Sequence, residues 1–221
     1  MKAATLLSGG MDSTTVLYKM AEMVGWDNCV AISMKYPSKH NAYELKSATA
    51  IAKDIGIEHR VINLESLFSS FSSALLLTGS DIPEGHYESA SMSQTVVPAR
   101  NLIFAGIAAG FCESNGIGEL WLGIHSGDHA IYPDCRPDFF VRLVETVLHA
   151  TDQKVRCVAP FLNQDKTGIL DFGLRDDIKV PYELTRTCYK NQGKACGKCG
   201  ACQERLEAFA NHGIKDPIEY Q

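Results

Sequence analysis

Residues 6 to 17 read LLSGGMDSTTVL, and the order of residue types in that stretch decides the fold. The apolar run Ala3 to Leu7 breaks at Ser8-Gly9-Gly10, after which Val16, Leu17, Met20, Ala21 and Val24 recur on one helical face. Strand, tight turn and helix therefore follow one another. In such a turn, paired glycines let the backbone curl until successive amides and the helix N-terminus face one anion, while Ser8, Ser13 and Thr14 offer hydroxyl donors. The loop contains no lysine, so it lacks the side chain with which other phosphate loops reach a terminal phosphate. Asp12 stands where it can cap the following helix, as in an ordinary strand-to-helix turn.

Outward from that turn the chain alternates. Cys29 to Met34 reads as a short buried strand, Asn41 to Ile55 as a helix carried by Leu45, Ala48, Ala52 and Ile55, and Arg60 to Leu64 as another strand. Successive units of this crossover type specify an α/β fold with a doubly wound, mostly parallel, Rossmann-like sheet. Leu76 to Val97 is long, rich in Ser, Gly and Pro, and carries His86, Tyr87 and Met92 with little periodicity, as a lid or binding loop does. Ala99 to Cys112 is apolar on nearly every side, as for a buried helix, and Glu119 to Ile124 reads as a central strand. The turn-rich segment HSGDHAIYPDCRPDF (125–139) then falls at the carboxyl end of that strand, where open parallel sheets bind ligands. Phe139, Phe140, Leu143, Val144, Val147 and Leu148 follow at helical spacing.

A chain of 221 residues suits one substantial core with a small appendage, and the composition shifts at about Thr185. The expected division is an α/β nucleotide-binding domain over 1–184 and a cysteine-rich tail over 185–221 packed on the same domain. With 21 Lys+Arg against 26 Asp+Glu and a formal charge of -5, electrostatics give no basis for direct nucleic-acid binding. The longest apolar stretch, Leu102 to Cys112, is too short for a bilayer and is interrupted by Gly106 and Gly110. No charged-apolar-small leader opens the chain, so a cytoplasmic protein without membrane contact is expected.

Four of the eight cysteines (Cys29, Cys112, Cys135, Cys157) are scattered, whereas Cys188, Cys196, Cys199 and Cys202 crowd into CYKNQGKACGKCGAC at C-x7-C-x2-C-x2-C spacing. Thiolates two residues apart in a turn can face a common centre, and four complete a tetrahedral shell for one zinc ion, closed to water and hence structural. A redox dithiol or an iron–sulfur cluster is the alternative at this spacing.

SGGMDS resembles the signature of the PP-loop ATP pyrophosphatase superfamily, whose members transfer AMP to a substrate oxygen and release pyrophosphate. Together with TVVPARN at 95–101, YPDCRPDF at 132–139 and GKACGKCGACQER in the tail, it makes the chain similar, over essentially its whole length, to the 7-cyano-7-deazaguanine synthases of the queuosine pathway. The resemblance implies an adenine nucleotide alpha hydrolase-like fold with a zinc-binding helical tail and an ATP-dependent carbon–nitrogen ligase. Its reactants would be 7-carboxy-7-deazaguanine, ammonia and ATP with Mg2+. Adenylation of the carboxylate, attack by ammonia to an amide, and a second activation of the amide would give the nitrile, preQ0. The resemblance further implies an ATP site over Leu7, Ser8, Gly9, Gly10, Met11, Asp12, Ser13, Thr14, Thr15, Val16 and Leu17, which holds the departing pyrophosphate as a unit, and a homodimer. Where many members read Tyr-Gly-Gln-Arg-His after the second strand, this chain reads Tyr36-Pro37-Ser38-Lys39-His40, so no role carries over to Ser38 or Lys39.

Charge developing on two ligands calls for fixed cations near the loop, and Arg100 and Arg136 are the candidates. Asp134 is the candidate acceptor for the N1–H and exocyclic amine of a guanine-like ring, or else a turn or helix cap. His125 or Asp128 could accept protons from ammonium and from the amide nitrogen, and Tyr132 could stack on the base or pack in the core. Two related outcomes share these residues. One is an enzyme that stops at the amide or passes the activated deazaguanine to another amine; the other is a PP-loop tRNA sulfur-transfer enzyme, against which the acidic composition counts. Metal loss from the tail is expected to detach a wall of the deazaguanine pocket while sparing the ATP loop.

Overall fold

A computed structural model describes residues 1–85, 90–190 and 192–221, with residues 90 and 91 described by backbone alone. His86 and Tyr87 of the expected binding loop lie outside the described residues. Strands β1 (Ala3–Leu6), β2 (Cys29–Lys35), β3 (Glu58–Asn63), β4 (Glu119–Trp121) and β5 (Arg156–Val158) form one sheet in the order β3-β2-β1-β4-β5. Every pairing is parallel, with β1 between β2 and β4. The helices are α1 (Met11–Val24), α2 (Asn41–Ile55), the single turn α3 (Glu65–Phe68), α4 (Arg100–Ser114), α5 (Pro137–Ala150), α6 (Lys166–Gly173) and α7 (Gly200–Asn211).

The interior strands β1 and β2 are apolar and buried almost throughout, because helices cover both faces of a parallel sheet. On one face Val16, Leu17 and Met20 of α1 pack with Ala48 and Ile51 of α2 and Ile169 of α6. On the other, Ala105, Ala108 and Cys112 of α4 pack with Leu143 and Val147 of α5. The chain winds outward from β1 to β3, then crosses back to place β4 on the other side of β1. That reversal opens a crevice at the carboxyl ends of β1, β2 and β4, the place where doubly wound sheets hold ligands.

Helix α2 has the expected limits and closes on Gly56, whose φ of 73° is the left-handed conformation that a helix C-terminus favours. The edge strand β3 starts at Glu58 rather than Arg60, since its pairing with β2 begins at Val30↔Glu58 and depends on backbone bonds rather than on an apolar pattern. Helix α4 corrects the expectation of a helix buried all round. Ala105, Ala108, Ala109 and Cys112 are buried, whereas Leu102 is 46% exposed and a Cβ at Gly106 or Gly110 would meet nothing within 4 Å. The helical stretch Met92–Ser114, which contains an 18-residue window of mean hydropathy 1.4, is long and apolar enough in composition to cross a membrane. Its backbone breaks at Ala99, φ 52°, and the continuous helix has 15 residues. That length covers only about 22 Å at the helical rise, against a hydrocarbon core of about 30 Å.

The tail is anchored by a fully buried arginine in α7. Arg205 donates to both Asp216 oxygens, at 2.7 and 2.9 Å, to the Thr185 hydroxyl at 2.6 Å and to the Tyr182 carbonyl at 3.1 Å. Tyr220 donates to the same carboxylate at 2.6 Å, and the Ala195 amide donates to the Glu219 carbonyl while the Gln221 amide donates to that of Ala195, bringing the chain end onto the cysteine segment. Replacing Arg205 with Met strands the Asp216 carboxylate in the interior. The expected loss is about 3–5 kcal/mol of unfolding free energy, measured by urea titration of the purified variant.

Candidate active site

The SGG turn owes its shape to a close approach. Gly9 has φ 80°, and a Cβ there would lie 2.6 Å from the Ala48 nitrogen and 2.6 Å from the Glu44 carbonyl oxygen, so only glycine lets the loop rest against α2. The amides at the start of α1 consequently face the crevice. Ser8 and Ser13 hydroxyls sit 3.0 Å apart, and the Gly10 amide donates to Ser8 Oγ at 3.2 Å. Of the expected nucleotide-binding run, Leu7, Ser8, Gly10, Asp12 and Ser13 line a cavity of about 200 Å³. The Thr14 and Thr15 hydroxyls are spent on the Gly10 and Met11 carbonyls, and Met11, Val16 and Leu17 are buried in the core.

Asp12 is not a cap: the N-cap of α1 is Gly10, with no side-chain cap bond. Its carboxylate turns instead to Lys166, whose Nζ lies 2.8 Å from Asp12 Oδ2. A lysine 154 residues away in sequence is thus brought against the loop. Local chemistry delivers it: Asp165 caps α6 by accepting from the Gly168 amide at 2.9 Å, which fixes Lys166 as the first helical residue. Lys166 is also 3.2 Å from Glu204, and His125 Nε2 is 3.5 Å from Asp128 and 3.7 Å from Asp12. Burial alone would raise the Asp12 pKa, yet Lys166 and His125 hold it well below the usual carboxylate range. Burial opposes a charge on Lys166 too, and Asp12, Glu204 and Asp128 overcome that and keep it protonated.

The cavity runs from the loop past Leu122, Gly123 and Asp128 to Tyr36, His40, Glu44, Arg100, Arg186 and Tyr189. Arg100 and Asp128 therefore share one space with the loop, and His125 is buried beside it between Asp12 and Asp128. Asp134, Tyr132 and Arg136 stand off from the cavity lining. Asp134 Oδ2 accepts from the Asn101 amide at 2.8 Å and so caps α4. The Tyr132 hydroxyl bonds Thr95 Oγ1 at 2.8 Å within the core. Arg136 Nε donates to the His129 carbonyl at 2.9 Å. Sequence reasoning missed Lys166, Glu44, His40, Arg186 and Tyr189; Asp165, a cap residue just ahead of an apolar helix, was the signal that could have drawn attention to Lys166. Of the departing stretch, Tyr36 and His40 face the cavity, while Lys39 Nζ donates to the Gly79 carbonyl at 3.2 Å.

The sulfurs of Cys188, Cys196, Cys199 and Cys202 are all buried, lie within 4.8 Å of one another and could hold a metal ion. Cys196 and Cys202 Sγ are 3.9 Å apart, close to the roughly 3.8 Å edge of a tetrahedron with metal–sulfur bonds of about 2.3 Å. Backbone amides of Lys190 and Cys196 point at Cys188 Sγ, and those of Lys198 and Cys199 at Cys196 Sγ, as suits thiolate ligands. The knot is tied to the loop. The Arg186 amide donates to the Gly9 carbonyl at 2.7 Å, and Arg186 Nη2 donates to the Lys190 and Gln192 carbonyls at 2.9 and 2.6 Å. The cysteine segment is thereby joined to the loop by hydrogen bonds through Arg186.

The family model described as "Queuosine biosynthesis protein QueC" matches residues 2–213. The chain belongs to that family. It is 44% identical over 220 residues to the 7-cyano-7-deazaguanine synthase of Pseudoalteromonas atlantica, covering 100% of this chain and 99% of the relative. It is 43% identical over 222 residues to that of Methanoregula boonei, covering 100% of both. Among solved structures, the U34-tRNA thiolase NcsA from Methanococcus maripaludis with its [4Fe-4S] cluster aligns with a TM-score of 0.52 at 13% identity, over 96% of this chain and 67% of the thiolase. That likeness establishes the PP-loop fold. In this member of the QueC family, the SGGMDS turn, Arg100 and the tail residues Arg186, Thr187, Tyr189 and Ala201 line one cavity.

His125 carries a pH signature. Burial would lower its pKa from 6.5, but Asp128 and Asp12 outweigh burial and push it up to about 9. A folded-state value above the unfolded one stabilises fully below pH 6.5, and that contribution is lost as pH rises through about 9. In Mg2+-free buffer the urea midpoint is expected to fall across that window, and His125→Gln is expected to flatten the fall.

Proposed function

We propose that the chain is an ATP-dependent 7-cyano-7-deazaguanine synthase, a carbon–nitrogen ligase that converts 7-carboxy-7-deazaguanine and ammonia into preQ0 through an adenylated carboxylate and an amide. The observation that carries this reading is the single cavity joining the SGGMDS loop to Arg100 and Asp128, in which a nucleotide and a carboxylated base can meet. A carboxylate repels nucleophiles and has oxide as its leaving group; transfer of AMP removes both obstacles. Loop amides and Lys166 receive the pyrophosphate, and Arg100 faces the carboxylate as the adenylate forms. His125 is already protonated at neutral pH, so it serves as a fixed cation and Asp128 takes the protons released by ammonium and by the amide nitrogen. Asp134 and Tyr132 set the start of α4 and hence Arg100, and we assign Glu44, a carboxylate in the cavity wall, to the N1–H and amine edge of the base.

Asp12 Oδ1 is buried without a hydrogen-bond partner among the described residues, which fits a divalent cation. Mg2+ bound there would neutralise phosphate charge. The four cysteines would hold one zinc ion whose closed shell supplies folding energy rather than chemistry.

Incubation of the purified protein with 7-carboxy-7-deazaguanine, ATP and ammonium, read by mass spectrometry, is expected to give the nitrile with AMP and pyrophosphate. An amide that accumulates without nitrile would identify an enzyme that stops halfway, and an absence of adenylation would overturn the reading. Cys199→Ser is expected to remove the one equivalent of zinc and, through Arg186, to weaken ATP as well as the base.

We also assign this cytoplasmic enzyme a homodimeric state, supported by the apolar outer face of α4 and α5, where Leu102 and Val141 are 46% and 52% exposed. Light scattering is expected to give twice the chain mass for the native protein and a monomer for Leu102→Asp.

A further inference from the structure

We propose that Glu204 is a positioning residue that aims Lys166 at the departing pyrophosphate, and that through Glu204 the cysteine knot acts on adenylation. The proposal rests on the reading of Lys166 given above. Glu204 lies early in α7, on the same helix as Cys202 and just after Cys199, so its placement follows that of the knot. Its Oε2 is 3.2 Å from Lys166 Nζ, and Asp12 Oδ2 is 2.8 Å from the same nitrogen. Lys166 and Asp12 line the cavity, and Glu204 stands behind them.

Space for that carboxylate is reserved. A Cβ at Gly127 would come within 2.4 Å of Glu204 Oε1 and 3.0 Å of the His125 ring. The Lys166 side chain is 5% exposed and that of Glu204 15%, so the ammonium has almost no solvent as an alternative partner and the carboxylate only a little. One ammonium donor is held by Asp12 at 2.8 Å, and the Glu204 carboxylate draws the same nitrogen from a second direction through an ion pair at 3.2 Å, which restricts where the remaining donors point. When Asp12 engages a phosphate-bound cation, Glu204 is the partner that keeps Lys166 from following it. Neutralising Glu204 lets the ammonium collapse onto Asp12 and leave the phosphate path.

The test uses the full-length, metal-loaded protein as Glu204→Gln and Glu204→Asp, with Lys166→Met as reference. Metal content, equilibrium binding of α,β-methylene-ATP and of 7-carboxy-7-deazaguanine, and kcat and KM for pyrophosphate release are measured. Glu204→Gln is expected to keep its metal and its affinity for the base. It is expected to bind the ATP analogue about tenfold more weakly and to lose roughly 10- to 100-fold in kcat, as displaced supporting groups do. Glu204→Asp, which retains the charge, should recover part of both losses. Wild-type kcat and analogue affinity in Glu204→Gln would overturn the proposal. So would a parallel loss of metal, base and nucleotide binding in both Glu204 variants, the mark of a packing role. Wild-type pyrophosphate release in Lys166→Met would instead remove the premise, and that result is distinct from either of the others.

Discussion

A buried ammonium held between carboxylates is the interaction on which the rest of the site depends. Lys166 bridges Asp12 of α1 and Glu204 of α7 from its own place at the head of α6, so three helices remote in sequence converge on one charge. Removing such a charge from water is unfavourable by several kcal/mol unless its partners are close and well oriented. The arrangement therefore fixes α6 and α7 against the N-terminus of α1. The result is a glycine turn without a lysine of its own beside which a lysine from elsewhere in the fold is buried. Around it, Asp128 and Asp12 raise the His125 pKa against burial and against Lys166, while Lys166 and His125 lower that of Asp12.

The C-terminal segment is part of this system rather than an appendage. Arg205, sealed between Asp216, Thr185 and Tyr182, holds α7 to the strand-side turn. Arg186 bonds the Gly9 carbonyl through its backbone and the knot carbonyls through its guanidinium, while lining the cavity wall. The buried four-cysteine cluster, which could hold a metal ion, sits against the start of α7. Cys199 precedes that helix and Cys202 lies in its first turn, and the same helix carries both Ala201 in the cavity wall and Glu204 behind Lys166. Order in the knot and geometry at the phosphate loop are coupled by short, buried connections.

Much of the architecture was legible because its causes are local. Gly9 must be glycine for a close backbone approach, α2 has an apolar stripe and a glycine stop, and four cysteines at fixed intervals can face one centre. Family resemblance added the substrates. The cavity's polar lining was less legible. Asp134 and Tyr132 carry polar groups of the right kind, yet one caps α4 and the other bonds Thr95, because a helix start and a buried hydroxyl demand partners of their own. Helix α4 read as buried from composition alone, and composition cannot say which face of an apolar helix the sheet will cover.

The sequence by itself determined the parallel α/β sheet, the anion-binding turn after β1, the metal-binding capacity of the tail and the family to which the chain belongs. Each of these is written in residue types a few positions apart, where periodicity and backbone freedom act. Only the tertiary structure decided which charges meet. Lys166 reaches Asp12 across 154 residues, Glu204 stands behind it, and Arg186 joins the knot to the loop. Such encounters depend on how helices cross a sheet, and a buried ion pair has no spacing rule because its partners are chosen by packing and by the free energy of leaving water.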